Sequence, residues 1–238
     1  MRLKNIVAIV LLFAAGGTSA SAGKWLKYEP ADSAVNAVQA FLGIDTPGLE
    51  LLRKSTRLDM TDYLKEDSIY HAQNALEGES FFLEPVTREF LRVRVTASST
   101  YAIRLLSSKK GEVIAGVYTI GDIDRSANDS LVPRAGDSQL DFFDSEMRRI
   151  DTKKVIKVPR VEDFLEEKCK DKKLLRDLME LIPFPTVIYS LNADNTDLTA
   201  TLTVNHYMGR EDFERIRPYL TDRITYHWTG KRYERPQP

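Results

Sequence analysis

Two aspartates in a run with helical periodicity have a spacing that could support chemistry. Asp59 and Asp62 stand three residues apart in the segment 55–64. Residues three apart are neighbours on a helix surface, so the two carboxylates are expected to lie together. Such a pair can bind a cation, or its members can act as general acid and general base, which makes both residues candidate catalytic groups. The alternative is a structural role, in which the two aspartates cap a helix and interact with its dipole near an N-terminus. The sequence favours this structural role over the catalytic one.

The three histidines, His71, His206 and His227, are far apart in the sequence. None belongs to an H-E-x-x-H zinc motif, and the chain has no G-x-S-x-G elbow, P-loop or G-x-G-x-x-G stretch. Each histidine is typical of a surface position, or of an interior position where the ring has hydrogen-bond partners. A hydrolase whose site is assembled from distant acidic and His residues stays open as the alternative to a non-enzymatic protein.

A row of hydroxyl-bearing residues is the feature most suggestive of binding. Two strands are predicted near the C-terminus, at 198–204 and 224–229, and their polar positions alternate with apolar ones. If the strands pair, these positions form a flat uncharged face that suits a glycan, a peptide strand or another subunit. An ordinary solvent-exposed face is the alternative, because threonine has a high strand propensity. The candidate binding residues are Thr199, Thr201, Thr203, Thr225, His227 and Thr229.

No metal site or cofactor is expected from the oxygen-rich loops. An EF-hand count from Asp122 puts Ala127 at position six and Pro133 at position twelve, where glycine and an acidic ligand are required. The segment 121–130 is therefore predicted to be a surface loop, and the segment 192–197 a hairpin connection. The single cysteine, Cys169, lies in a Lys/Glu-rich helical segment and is interpreted as a half-buried helix residue.

The first 22 residues have the three parts of a secretory signal. Arg2 and Lys4 precede an apolar run at 6–15, and the small residues at 20–22 form a cleavage site. We expect cleavage near Ala22 and export to the periplasm or beyond the cell. The apolar run is shorter than the roughly 20 residues of a membrane-spanning helix, and no later segment approaches that length. No membrane span is therefore expected in the mature chain.

The charge balance excludes nucleic acid as an expected partner. The chain has a formal net charge of −1, and loss of Arg2 and Lys4 with the leader leaves 32 basic and 35 acidic residues, a charge of −3. Nucleic-acid-binding domains carry a basic excess instead. The sequence thus predicts an exported globular protein, non-enzymatic, whose partner is another envelope protein or a polysaccharide.

The stretch from Phe81 to Ile120 organises the predicted fold. Its apolar residues alternate with polar ones, which indicates three or four antiparallel strands joined by turns at 97–100 and 107–111. The segment 113–120 is apolar on both sides, as expected of a central strand covered on both faces. Arg92, Arg94 and Arg104 can make one sheet face basic, but alternation alone also predicts polar residues at these positions.

Helices and strands alternate in blocks along the chain. A short helix capped by Asp32 and ended by Gly43, a helical pattern from Val161 to Pro183, and a helix at 210–220 distorted by Pro218 are expected. The order of helices followed by strands occurs twice, which predicts an α+β fold with antiparallel sheets. We expect one domain at 23–238, with the halves 23–155 and 156–238 as the alternative division.

Three segments resemble an exported Bacteroidales family known only as a domain of unknown function. They are Arg57-Leu58-Asp59-Met60-Thr61-Asp62-Tyr63, Asn74-Ala75-Leu76-Glu77-Gly78-Glu79-Ser80 and Leu140-Asp141-Phe142-Phe143-Asp144-Ser145-Glu146-Met147. The last is similar to the family's strand, which ends in an aromatic-Asp turn before an outward aromatic residue, and Met147 replaces the usual Trp. The resemblance implies origin and location, and it implies no activity or catalytic residue.

Overall fold

The chain folds into two antiparallel sheets with five α-helices in the residues described. The computed structural model describes residues 23–28, 35–124, 132–165, 171–182, 185–221 and 223–236. The first part contains a seven-stranded meander in chain order, preceded by two helices and a 3₁₀ turn. Its elements are α1 (Ala37–Gly43), a 3₁₀ turn (Pro47–Leu49), α2 (Lys54–Lys65), β1 (Ala72–Gln73), β2 (Glu79–Phe82), β3 (Phe90–Thr96), β4 (Ser99–Ser108), β5 (Gly111–Asp124), β6 (Val132–Phe143) and β7 (Arg149–Ile150).

The second part contains a four-stranded sheet with the order β8-β9-β10-β11. Helices lie between the two sheets in the sequence and between β9 and β10, so the predicted α+β class with antiparallel sheets is confirmed. The elements are α3 (Thr152–Val155), a 3₁₀ turn (Val161–Phe164), α4 (Lys172–Glu180), β8 (Val187–Leu191), β9 (Leu198–Leu202), a 3₁₀ turn (Val204–His206), α5 (Arg210–Ile216), a 3₁₀ turn (Arg217–Tyr219), β10 (Arg223–Trp228) and β11 (Tyr233–Glu234).

The predicted meander is present, with tighter turns than the sequence indicated. Ser99 was expected to lie in a break, but it pairs with Thr96 and opens β4. The hydroxyls of these two residues are 2.7 Å apart, and the Ser98 N–H donates to the Thr96 hydroxyl. These local bonds hold the chain in a two-residue turn. β5 also continues to Asp124, beyond the predicted start of a loop at 121, and residues 125–131 lie outside the described part.

The meander is covered on both faces, as the apolar character of β5 predicted. One face packs against α1, α2 and the Pro47–Leu49 turn, and its buried residues include Leu91, Val93 and Ile103. The opposite face, with Phe90, Ala115 and Phe142, packs against the second sheet and the helices of the second part. This second cluster contains residues of both halves of the chain. The division into one domain or two halves stays a prediction.

Arg92, Arg94 and Arg104 do not form an exposed basic sheet face, so of the two interpretations left open for them the plain strand alternation is the one that applies. Arg94 is 5 % exposed and donates to the Ala97 carbonyl, and its guanidinium lies 5.6 Å from the centre of the Phe81 ring. The other two reach the second sheet, where Arg92 donates to the Leu191 carbonyl and Arg104 to the Ala193 carbonyl. The alternation was correct, but the face that carries these residues is largely covered by the second sheet.

The free edge of β8 is partly covered by side chains of the first sheet. In addition to the Arg92 bond to the Leu191 carbonyl, the Val187 N–H donates to the Asp137 carboxylate at 3.2 Å. Exposed strand edges present unpaired backbone groups that template pairing with other chains. The edge groups of β8 at Val187 and Leu191 therefore have partners within the chain.

The beginning of α1 differs from the prediction. Its N-cap is Asn36, which forms a capping box with Gln39, and Asp32 lies outside the described residues. Asn36 is well suited to this position because its side chain accepts from the Gln39 N–H at 2.9 Å. Gln39 is exposed, and Ala37, Ala40 and Phe41 are the buried residues of the helix.

The segments that carry the family resemblance contain buried polar residues that serve the fold. Arg57, in α2, is 3 % exposed and donates to the carbonyls of Phe41 and Ile44 at the end of α1. Asn74 is also buried and accepts from the Leu76 and Gly78 N–H groups, which shapes the turn between β1 and β2. Buried polar groups of this kind need partners, because an unpaired one costs about 1–3 kcal/mol.

The third segment of the resemblance also builds a turn. The Asp144 carboxylate accepts from the N–H groups of Glu146 and Arg148. Met147 has a φ of 62° and packs, half-buried, against the first apolar cluster. The Met147 side chain therefore packs partly against the core instead of pointing into solvent.

The helical pattern after Val161 is broken into two pieces. The 3₁₀ turn Val161–Phe164 ends at Leu165, which forms an antiparallel bridge with Leu220. The second piece is α4, which begins after its N-cap Asp171. The Asp171 side chain accepts from the Lys173 and Leu174 N–H groups. Residues 166–170, with Cys169, lie outside the described part. The helix at 210–220 has a 3₁₀ last turn that contains Pro218, as predicted.

Candidate binding cleft

The two candidate catalytic aspartates lie on the exposed side of α2. Because α2 begins at Lys54, Asp59 and Asp62 lie beyond its first turn, and the interpretation as N-terminal capping residues is wrong. Asp62 forms an exposed ion pair with Lys65 at 2.6 Å. Neither aspartate lines the clefts described below. Their catalytic role therefore stays a prediction, since no neighbouring group in the described part of the chain suggests a reaction.

The histidines are placed in three different environments. His71 stacks on Phe81 with ring centres 4.4 Å apart and lies 3.3 Å from Glu79. His206 ends a 3₁₀ turn and lines a cleft of about 600 Å³ between the two sheets, which we call the first cleft and describe below. His227 lies 2.7 Å from the Asp197 carboxylate and lines the second cleft. The two clefts therefore separate His206 from His227.

Three of the candidate threonines lie on one face of the second sheet. Thr199 pairs with Thr225 on one side and with Ser190 on the other, so three hydroxyl residues form a row across β8, β9 and β10. Thr201 lies in the next row, between Ile188 and Arg223. We call Ser190, Thr199 and Thr225 the hydroxyl row. These residues are half-buried or exposed, while most of the alternate positions of the same strands are buried.

The other candidates of this group have different surroundings. Thr203 is 2 % exposed and lies beyond the end of β9. Its hydroxyl donates to the Gly136 carbonyl at 2.9 Å and lies 2.6 Å from the Thr186 hydroxyl, so it ties the two sheets together. Thr229 lies in the turn after β10 and donates to the Arg232 carbonyl. The structure thus separates Thr203 and Thr229 from the hydroxyl row.

A cleft of about 600 Å³ opens where β8 meets the first sheet. This volume lies within the range of small-molecule sites in proteins. β3, β4 and β5 of the meander, β8 to β10 of the second sheet, and the turns and helix at 204–219 all contribute to it. The lining residues are Arg92, Thr100, Ala102, Val117, Thr119, Ile188, Tyr189, Ser190, Leu191, Thr201, Leu202, Thr203, Asn205, His206, Phe213, Arg217 and Arg223.

Among the residues that the structure describes, three arginines and no carboxylate line the cleft, which gives this part of its lining a positive charge. Arg223 is exposed and forms no ion pair within the described part of the chain. The Arg217 guanidinium is 3.7 Å from Glu214, a distance too long for a hydrogen bond. Arg92 is held by the Leu191 carbonyl and by Glu84, at 3.0 and 2.9 Å. Two guanidinium groups are therefore available, and a third is fixed in position.

Tyrosine, threonine, serine and asparagine side chains supply much of the remaining polar lining. Burial raises the pKa of Tyr189 to about 12, with nearby Tyr226 and Asp137 adding to the effect, so its phenol stays uncharged at physiological pH. Thr100, Ser190, Thr201 and Asn205 add side chains that both donate and accept hydrogen bonds. The cleft thus combines fixed positive charge with neutral polar groups and the apolar ring of Phe213.

Sequence reasoning did not find this cleft. Arg92 was assigned to the polar face of one strand, and Arg217 belonged to a predicted helix without a signal of its own. Arg223 did carry a signal, since it continues the alternation of Thr225 and His227 backwards by one step. Extending the hydroxyl pattern to that position would have placed a cation beside the threonines.

The second cleft, of about 640 Å³, lies near the chain's C-terminal strands. Lys157, Arg232 and Arg235 line it together with Asp163 and Glu234, so its charges are mixed. Within the ranges that the structure describes, no group of three or more His, Cys, Asp or Glu residues could hold a metal ion. In those same ranges no helix has the length and apolar character needed to cross a membrane.

Comparison with known proteins places the chain in a family without assigning an activity. The fold is similar to the structure of a domain of an uncharacterized protein from Porphyromonas gingivalis W83, of the Bacteroidales. The TM-score is 0.68 at 19 % identity, covering 86 % of this chain and 100 % of that one. No curated protein matches the sequence. The family described as protein of unknown function DUF3256 matches residues 33–233, which confirms the expected resemblance. The chain belongs to this family of unknown function.

Proposed function

We propose that the chain is an exported, non-enzymatic binding protein of the cell envelope and that its ligand is an anion bound in the first cleft. One observation carries the proposal: Arg92, Arg217 and Arg223 line a single concave site, and no carboxylate in the described part of the chain lines it with them. The predicted leader at 1–22 supports export. Another envelope protein or a polysaccharide is the partner proposed.

The physical argument rests on how guanidinium groups bind anions. Their hydrogen bonds to carboxylate or sulfate oxygens are roughly twice as strong as neutral ones and are often bidentate. A guanidinium already paired inside the protein contributes less, because the ligand must displace its partner. Arg223 has no such partner among the described residues, and the Glu214 contact of Arg217 is long and exposed. These two arginines are therefore the expected main contacts of the ligand.

The test is a titration with fluorescein-labelled dextran sulfate, followed by fluorescence anisotropy. The purified chain is expected to bind, and the Arg217→Gln/Arg223→Gln variant to bind at least about tenfold more weakly, the equivalent of roughly 1.4 kcal/mol. The control variant, Arg53→Gln/Arg176→Gln, makes the same charge change at exposed positions that do not line the cleft. Absence of binding, or equal weakening in both variants, would refute the proposal.

A hydrolase is the second candidate, favoured by the contact between His227 and Asp197. A carboxylate that holds one imidazole nitrogen leaves the other free to act as a base. The test is a screen of chromogenic esters and glycosides against the chain and a His227→Gln variant. Turnover that disappears in the variant would support the enzyme, and equal rates in both proteins would reject this site.

A further inference from the structure

The arginine-lined cleft and the hydroxyl row are continuous on one surface. Ser190 belongs to both, since it lines the cleft and also pairs with Thr199 in the row. Arg223 lines the cleft and lies on the same strand face as Thr225, two residues away. Adjacent strands are about 4.8 Å apart, so the row extends roughly 10 Å across three strands. A ligand bound to Arg223 can therefore also reach the hydroxyls.

From this continuity we propose that the ligand is an acidic polysaccharide, whose carboxylate binds in the cleft while neighbouring sugar hydroxyls bind the hydroxyl row. This inference rests on the proposed function and names its ligand class. A hydroxyl side chain donates one hydrogen bond and accepts others, as a sugar hydroxyl does. Guanidinium groups supply the charge that a uronic acid or sulfated sugar requires. The Phe213 ring in the cleft provides an apolar surface.

The same surface is less suited to a peptide strand. Peptides commonly bind to sheets by adding a strand to a free edge, where backbone groups give the affinity. The edge of β8 beside the cleft is partly occupied, because Arg92 binds the Leu191 carbonyl and Asp137 binds the Val187 N–H. A strand added to this edge would have to displace both side chains, whereas the hydroxyl row offers short, uncharged side chains on the sheet face. The observations thus favour the polysaccharide over the acidic peptide.

The test compares three labelled polymers by fluorescence anisotropy at low ionic strength: polygalacturonate, poly-L-glutamate and uncharged dextran. The chain is expected to bind polygalacturonate most tightly and dextran least. Replacing the hydroxyls isosterically in Thr199→Val/Thr225→Val removes two hydrogen bonds and is expected to weaken polygalacturonate binding about tenfold, with poly-L-glutamate binding unchanged. The control Thr199→Ser/Thr225→Ser keeps both hydroxyls and should retain polygalacturonate affinity.

The outcomes separate this inference from the proposed function. One outcome is that both acidic polymers bind with equal affinity, that this affinity falls when Arg223 is replaced, and that it does not change in the threonine variants. In that case the cleft binds anions and the polysaccharide inference is wrong. Preferential binding of poly-L-glutamate would indicate an acidic peptide instead and would also overturn it. If neither acidic polymer binds, the inference fails, and the dextran sulfate titration decides the proposed function separately.

Discussion

Replacing Arg57 by methionine is expected to destabilise the protein strongly. Its guanidinium donates to the Phe41 carbonyl at 2.6 Å and to the Ile44 carbonyl at 2.9 Å, and it lies 5.8 Å from the centre of the Phe41 ring. Hydrogen bonds to charged groups contribute about 1.5–3 kcal/mol each. Burial of the guanidinium carries a desolvation cost that methionine removes, which offsets part of the loss. We expect a net loss of about 3 kcal/mol in the free energy of unfolding.

Urea denaturation followed by circular dichroism measures this loss directly. The midpoint should fall with the slope m unchanged, and the melting temperature should fall by roughly 10 °C for a chain of this size. Arg53→Met is the control, because Arg53 is exposed and its side chain does not cap α2, and it should change stability by no more than about 0.5 kcal/mol. Equal effects of the two variants would show that Arg57 does not hold the end of α1.

Three further perturbations test the fold at other places. Gly116→Ala places a methyl group against the Tyr101 hydroxyl and should cost about 1–3 kcal/mol in thermal unfolding, with a smaller cost in a Tyr101→Phe background. Burial alone would raise the pKa of Asp144, but bonds from the backbone and guanidinium of Arg148 lower it. The stabilisation is therefore present above the unfolded pKa of about 3.9 and is lost as pH falls through the lower folded pKa. The melting temperature of Asp144→Asn should accordingly lie below that of the wild type at pH 7 and approach it near pH 3, and a constant difference would contradict this. Thr203→Val leaves a carbonyl of the first sheet without its donor and should cost about 1–3 kcal/mol in urea denaturation. A loss of polygalacturonate binding without loss of stability would instead make Thr203 a ligand contact.

The strands were predictable because alternation is a local property. Each residue of the 81–120 stretch points to the face opposite its neighbour, and burial of one face imposes the pattern on adjacent positions. The turn at Ala97–Ser98 was predicted too long, because the hydroxyl bonds that tighten it depend on side-chain geometry. The N-cap of α1 was likewise assigned to Asp32, although Asn36 offers the same chemistry one helical turn later.

The hydroxyl row was partly predictable for the same reason. Thr199 and Thr201 alternate within one strand and Thr225 lies in another, so the face followed from the sequence once the strands were assumed to pair. Thr203 and Thr229 were included because the alternation continued through them. The strand ends at Leu202 and Trp228, and beyond those residues the chain turns and the period of two no longer describes side-chain direction.

The sequence by itself determined the strands of the meander, the α+β class and the alternation that produces the hydroxyl row, because these depend on neighbouring residues. Only the tertiary structure decided where Arg92, Arg217 and Arg223 meet. Arg92 contacts a carbonyl 99 positions away, and that contact exists because one sheet packs across the other. Nothing in the local pattern around an arginine encodes that crossing, so the candidate binding cleft emerges only when the two sheets are in place.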